Sequence, residues 1–362
     1  LKILHTVQGY APYVGGSEEV VRRVSERLVR MGHKVTVFTS HHPDRTYEEL
    51  GGVRVRSFKA RGNQVEGLQG EVDEYVRAVV EGGFDVVMNY AAQTWSTDAL
   101  LPKLDAIRAK KILAPCGYSG LRWPKYRGYF EKLHESLRAY DLLIYHSAIT
   151  RDKAYGDEHG LSRWTVVPNF ADEEEFARGD GGRFRARYGL ENRPLCLTVS
   201  NHFRAKGHGT VIRAFRKSGI DGALAIVGNS QRPMNVLSDC TFGCRVASIF
   251  HGVKLFEGLP REEVVDAFHA ADLFLLGSKV ECSPLVLFES MAAATPWIST
   301  DVGNARELPG GRIANSVEEM AAAIRELVGG KGEELGRAGQ QAWSERFTLS
   351  KVAPQYEASY QT

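Results

Sequence analysis

Short apolar runs alternate with amphipathic helical patterns along the whole chain, and this alternation constrains the fold more than any other feature. A strand buried on both faces reads as a continuous apolar run, and strand–helix alternation of this kind specifies an α/β fold of doubly wound parallel sheets. In the first half, strands are expected at Lys2–Thr6, Lys34–Thr39, Val53–Phe58, Asp85–Tyr90, Lys111–Pro115 and Asp141–Ser147. The second half restarts at Leu195–Ser200 and continues through Ala223–Gly228, Ser248–Phe256, Asp272–Leu276 and Pro296–Thr300. Ser17–Met31 reads as a helix with Val20, Val21, Val24, Leu28 and Val29 on one side and arginines on the other. Ligands of such sheets bind beyond the carboxyl ends of the strands, so residues at those ends are the ones to weigh.

At 362 residues the chain is too long for one ordinary α/β domain and long enough for two. The pattern breaks at Pro168-Asn169, and Asp172 to Arg187 is charged and glycine-containing. The expected division is therefore a Rossmann-like domain over 1–170, a linker over 171–190 and a second Rossmann-like domain over 191–340. A C-terminal helix over 341–362 is expected to return toward the first domain, with the two domains facing a cleft. The net charge of +2 argues against a nucleic-acid partner. No run approaches the roughly eighteen apolar residues that would span a bilayer. The first residues already resemble a core strand rather than a leader, so a cytoplasmic location is expected, with room for peripheral contact at the inner face of a membrane. Oligomeric state is not legible.

Five cysteines, Cys116, Cys196, Cys240, Cys244 and Cys282, form an odd and scattered set that fits a reducing compartment. Cys240 and Cys244 have i, i+4 spacing but no second ligand pair nearby, so no zinc site is expected, they read as free thiols and no metal ligands are assigned.

The chemistry concentrates in Glu281-Cys-Ser-Pro-Leu-Val-Leu-Phe-Glu289, between a strand pattern and a helix pattern over Leu285 to Ala294. Ser283 suits an N-cap and Pro284 the first helical position. Backbone N–H groups and the positive end of the helix dipole then make an anion site. A carboxylate in the loop before it and another on the second helical turn suit sugar and ribose hydroxyls on either side of a phosphate. That is the outline of a nucleotide-sugar site. Arg204 and Lys206, in the loop after the strand Leu195–Ser200, can neutralise a diphosphate. Gly15-Gly16-Ser17, after the first strand, lets backbone approach a ligand, with Ser17 as a helix cap. Gly303 to Glu307 can close one wall of the cleft. Gly117 to Tyr140 interleaves Trp123, Tyr126, Tyr129 and Phe130 with Arg122, Lys125, Arg127 and Lys132, which reads as rings buried under the first domain or as a membrane or sugar surface. No Asp-x-Asp pair is present to hold a divalent cation on a diphosphate, and no G-x-G-x-x-G fingerprint follows a strand. No cofactor is expected, and no divalent cation is expected on the diphosphate.

These segments resemble the retaining, GT-B-fold glycosyltransferases of family 4. The resemblance runs from Lys2-Ile-Leu through Gly15-Gly16 to Val37-Phe38, then Asp141 to Ser147, Val166-Val-Pro-Asn169, Ser200 to Gly207, and Ala271 through Glu281 and Glu289 to Pro296. It implies a hexosyl group moved from a UDP-, GDP- or ADP-linked sugar to a carbohydrate, glycolipid or small-molecule acceptor, with retention at the anomeric carbon. It implies that Glu289 binds ribose hydroxyls and Glu281 the donor sugar and reacting region. Ser283 and the backbone of Pro284, Leu285 and Val286 would meet the diphosphate or sugar, and Arg204 and Lys206 the leaving phosphate. Gly15 and Gly16 would approach the same phosphates. Asn201 stands where the family commonly has an arginine, and Cys116-Gly117 where many members carry a histidine near the donor sugar. A non-catalytic nucleotide-sugar-binding protein and a nucleotide-sugar epimerase of the same fold remain as alternatives.

Overall fold

The first apolar run forms β1 (Lys2–Thr6), which lies inside an eight-stranded sheet with β2 (Lys34–Ser40) on one side and β7 (Val86–Tyr90) on the other. Between them run α1 (Gly16–Arg30), β3 (Glu49–Leu50), β4 (Val53–Phe58), a small hairpin of β5 (Ala60–Arg61) and β6 (Gln69–Gly70), and α2 (Val72–Glu81). The chain continues through α3 (Trp95–Asp98), β8 (Lys110–Ala114), α4 (Arg127–Leu137), β9 (Leu142–Tyr145), α5 (Arg151–Glu158) and β10 (Trp164–Val166). The strand order is β10-β9-β8-β7-β1-β2-β4-β3, parallel apart from the β3–β4 pair. All five residues of β7 are buried, which is why its sequence shows no alternation. Helix α1 forms as its pattern predicts: Val20, Val21, Val24 and Leu28 are buried, while Arg22 and Arg23 pair with Glu19 on the outer face.

The computed structural model describes residues 1–190, 193–229, 240–249 and 252–361. They divide into two units, Leu1–Asn169 with Leu349–Thr362, and Phe170–Thr348. The second unit begins with α6 (Glu173–Phe176) and α7 (Gly181–Tyr188), then β11 (Leu195–Val199), α8 (His208–Ser218), β12 (Ala223–Val227), α9 (Cys240–Ser248) and β13 (Val253–Phe256). It continues with α10 (Arg261–Ala270), β14 (Leu273–Leu276), α11 (Leu285–Ala292), β15 (Trp297–Ser299), β16 (Gly311–Ile313), α12 (Val317–Glu326) and α13 (Gly332–Arg346). Its six strands are all parallel, in the order β13-β12-β11-β14-β15-β16. Each unit is Rossmann-like.

The boundaries differ from the sequence reading in three places. Residues 171–190 are not a linker: Phe176 on α6 and Phe184 on α7 are buried in the second unit's core with Phe268 and Phe274. The expected terminal helix divides into α13, part of the second unit, and α14 (Leu349–Gln361), part of the first. Tyr360 and Glu357 of α14 hydrogen-bond His5 and His33. The strand expected at Ser248–Phe256 begins only at Val253, and residues 250–251 lie outside the described ones. Thr241, Cys244 and Ala247 are buried three residues apart, so a helical period governs the stretch ending at Ser248.

Candidate functional site

In the second unit the strand order reverses between β11 and β14, so the loops leaving their carboxyl ends diverge and open a crevice. The two most charged candidate segments are those two loops. After β11, Arg204–Lys206 form one 3₁₀ turn ending at Gly207, whose φ is +69°. A Cβ at Gly207 would collide with the carbonyl oxygen of Gly277 at the end of β14. The Lys279 amide donates to the Ala205 carbonyl at 2.7 Å, which stitches the two loops together. Lys206 Nζ consequently lies 2.7 Å from Glu281 Oε1, with both side chains partly exposed. Arg204 is exposed beside them. The Asn201 carboxamide oxygen accepts from the Asn229 amide at 3.4 Å, tying the same loop to the end of β12.

The loop after β15 forms a wall: Asn304 donates its amide to the Cys282 carbonyl at 3.1 Å, and at Gly303 (φ +54°) a Cβ would strike that carbonyl. Helix α11 starts at Leu285, where its pattern begins, but its cap is not the expected one. Pro284, with extended ψ of 116°, is the N-cap and Leu285 the first helical residue, so buried Ser283 is not the cap. The amides of Leu285 and Val286 thus head α11, while Glu289 lies on its second turn and is 6% exposed. Arg261, the first residue of α10, places Nη2 2.6 Å from Glu289 Oε1. The same guanidinium bonds both oxygens of Glu175 on α6, at 3.2 and 2.8 Å. One arginine therefore offsets two carboxylates, one of them buried. The sequence reading missed Arg261; its place at a helix start, far from any motif, gave no signal.

In the first unit the candidate residues also sit at strand ends. Gly15, not Ser17, is the N-cap of α1, with extended backbone (φ −173°) and no capping side chain. The Glu18 carboxylate fills that space: a Cβ built at Gly15 or at Gly9 would clash with it. Burial pushes the Glu18 pKa up. The helix end expected to meet a phosphate thus carries a carboxylate, which suits the dipole and would repel an anion.

Cys116 and Gly117 follow β8, both left-handed at φ +60° and +74°. Ala91 and Gln93, after β7, also have positive φ, of 68° and 61°. Left-handed non-glycine residues cost roughly 1–3 kcal/mol each and gather where function holds them. Asp152 anchors this turn by accepting from the Gly117 amide at 2.9 Å. The Cys116 thiol lies 3.6 Å from His146 Nε2, and Tyr90 Oη is 3.0 Å from the same nitrogen. His146 Nδ1 is 2.9 Å from the Val167 carbonyl oxygen. Burial lowers the His146 pKa and raises that of the Cys116 thiol, so a neutral imidazole faces a protonated sulfur. His146 went unrecognised in the sequence, although its place at the end of an apolar run was a usable signal.

The basic-aromatic stretch divides: Tyr126 and Phe130 are buried, whereas Trp123 is 53% exposed and Arg122, Lys125 and Arg127 point to solvent. A groove of about 520 Å³ lies beside it, lined by Trp123, Arg127, Phe130, His134, Tyr155 and His159 among others.

Cys240 and Cys244 are free thiols, as expected, but a second pair of donor side chains does lie near them: His202 and His208 join them, and one potential donor atom from each of the four lies within 4.8 Å of the others. The pairs are more than thirty residues apart in sequence, and the β11 loop folding against α9 brings them together.

Residues 14–175 match the family described as Glycosyltransferase Family 4, and residues 182–342 match Glycosyl transferases group 1. The chain belongs to family 4 of the GT-B glycosyltransferases. Among curated relatives, N-acetyl-alpha-D-glucosaminyl L-malate synthase of Bacillus anthracis is 29% identical over 207 residues, covering 54% of this chain and 52% of that protein. The match therefore spans about half the relative's length. The family's GT-B fold is shared by sucrose-phosphate synthase from Thermosynechococcus elongatus, with a TM-score of 0.83, 18% identity and coverage of 99% and 98%. HepE of Anabaena, solved in complex with UDP-glucose, has a TM-score of 0.78 at 16% identity, covering 99% of each chain. Among the described residues of this family 4 chain, no helix is long and apolar enough to cross a membrane.

Proposed function

We propose that this family 4 member is a retaining glycosyltransferase that moves a hexosyl group from a nucleotide-diphosphate sugar to a sugar, lipid-linked or small-molecule acceptor. The observation that carries the reading is the Lys206–Glu281 pair, 2.7 Å apart at the strand-order reversal of the second unit's sheet. The ammonium and the carboxylate pair with each other. A donor separates their roles: Lys206, with Arg204, turns to the leaving diphosphate, and Glu281 accepts from hydroxyls of the transferred sugar. Charge growing on the leaving phosphate as the glycosidic bond breaks is then met by cations already in place. The amides of Leu285 and Val286 add the positive end of α11 to the same phosphate. Glu289, its charge offset by Arg261, takes the ribose hydroxyls.

The departing diphosphate deprotonates the acceptor on the same face of the sugar, which retains the anomeric configuration and requires no separate base. Cys116, Gly117 and the neutral His146, at strand ends of the first unit, take the acceptor. A solved relative in fold, HepE, holds UDP-glucose, which supports a nucleotide-sugar donor. The absence of an Asp-x-Asp pair supports transfer without a divalent cation on the diphosphate.

A panel of UDP-, GDP- and ADP-sugars tests the reading by thermal stabilisation and by nucleotide release with candidate acceptors. One donor is expected to stabilise the protein and to release nucleotide when acceptor is added, with NMR of the product showing retention. Stabilisation with no turnover would leave a binding protein, and a donor interconverted without acceptor would make it an epimerase. Activity that is lost in EDTA and restored by Mg²⁺ or Mn²⁺ would contradict metal-independent transfer.

A further inference from the structure

We infer that His202, His208, Cys240 and Cys244 form a structural zinc site that clamps both ends of the loop carrying Arg204 and Lys206. Two thiols and two imidazoles are the donor set that tetrahedral Zn²⁺ takes in closed sites. The spacing agrees: two histidines with five residues between them on either side of a turn, and two cysteines one helical turn apart at the start of α9, so both sulfurs project from one face. Zn–S of about 2.3 Å and Zn–N of about 2.0 Å in a tetrahedron place sulfur and nitrogen about 3.5 Å apart. In the protein, Cys240 Sγ lies 3.3 Å from His208 Nδ1 and 3.6 Å from His202 Nδ1. Neither cysteine is in a disulfide. A two-iron cluster would need the histidines and cysteines on different irons, spreading the donors across the cluster rather than around one point.

The surroundings fit a ligand role. Ser200 Oγ lies 2.8 Å from His208 Nε2, the hydrogen bond that fixes a metal-bound imidazole's tautomer and leaves Nδ1 bare. The His202 backbone amide is pinned to the Asn229 carbonyl at 3.1 Å. His202, His208 and Cys244 are 4%, 1% and 1% exposed. Two imidazole rings packed 4.9 Å apart stand with two thiols beside an apolar cluster, so the four donors converge in buried surroundings. Four protein ligands leave no open position, so the role is structural. Closing the loop at residues 202 and 208 restricts the segment that holds both phosphate-binding cations. This site lies outside the proposed transfer chemistry and does not depend on it.

Elemental analysis of the freshly purified full chain is expected to give about one zinc per molecule, as one closed four-ligand site requires. The metal should resist brief EDTA and be released by a mercurial that captures the thiols. Replacement by Co²⁺ should give thiolate-to-cobalt charge transfer and intense tetrahedral d–d bands. C244S and H202Q should lose most of the zinc; should either fail to fold, the cobalt spectrum of the unaltered protein decides. Absence of zinc and of a tetrahedral cobalt spectrum, a Cys240–Cys244 disulfide in the native protein, or full zinc retention in C244S would each overturn the proposal. These readouts need neither donor nor acceptor, so their failure is distinct from a failure to transfer sugar.

Discussion

Lys206 and Glu281 stand 75 residues apart in sequence and meet at 2.7 Å because Gly207 lets the β11 loop lie flat on the end of β14. If Lys206 acts on charge that grows as the donor bond breaks, K206A should lower kcat by about 10²–10³, the scale of one lost transition-state donor. E281A should behave similarly. The K206A/E281A pair should be less than additive, since each single change also strands its partner. Steady-state kinetics with a saturating donor checks this; an effect confined to KM would reassign both residues to ground-state binding.

Glu289 and Arg261 should separate binding from stability. E289A should weaken donor binding by roughly 1.5–3 kcal/mol for each charge-assisted hydrogen bond lost, read by calorimetry. R261M should instead lower stability by about 1–3 kcal/mol, because it removes a guanidinium from the buried Glu289 carboxylate while Arg261 itself is partly exposed. Unchanged donor affinity in E289A would remove the ribose assignment. An unchanged unfolding midpoint in R261M would show that the pair is not structural.

Continuous apolar runs and short-range order were legible in the sequence. Leu273–Leu276 and Leu285–Ala292 appear where their patterns place them, and the positions of Glu281 and Glu289 are set by that frame. Partnerships across the fold did not show. Arg261 reaches Glu289 only because α10 and α11 are neighbours, and His202 meets Cys240 only because α9 folds against the β11 loop. Capping was misread at both the glycine-rich and the proline-bearing helix start, since Ser17 and Ser283 were plausible caps that lost to Gly15 and Pro284. Two- and three-residue strands such as β3 and β16 are too short to carry a period.

His5 links stability to pH. It is fully buried between Ser25 Oγ and Tyr360 Oη, each at 2.8 Å, and burial lowers its pKa from 6.5 to about 3. The folded protein therefore disfavours the charged ring that the unfolded chain accepts below pH 6.5. Its stability contribution is complete above that pH and lost as pH falls toward 3, with a slope of up to about 1.4 kcal/mol per unit. Asp98 acts oppositely: burial raises its carboxyl to about 6, so its contribution declines as pH rises from the ordinary carboxylate range toward that value. Urea denaturation from pH 7 to pH 4 should show a shallower acid loss in H5Q than in the unaltered protein. Parallel profiles would show that the His5 ring is not what acid attacks.

Two glycines on either side of α8 provide a matched test of the loop geometry. Gly207 and Gly219 have nearly the same left-handed backbone, φ +69° and +68°. A Cβ at Gly219 meets nothing within 4 Å, whereas one at Gly207 strikes the Gly277 backbone. G219A should therefore cost only the left-handed strain, about 1–2 kcal/mol, and leave kcat unchanged. G207A should cost at least as much and also force the β11 loop away from β14. Because Lys206 is the adjoining residue, displacing that loop should lengthen the Lys206–Glu281 contact and reduce turnover, with a smaller effect on the donor-induced thermal shift. Equal kinetics in the two variants would mean that close packing of Gly207 on Gly277 is not what positions Lys206.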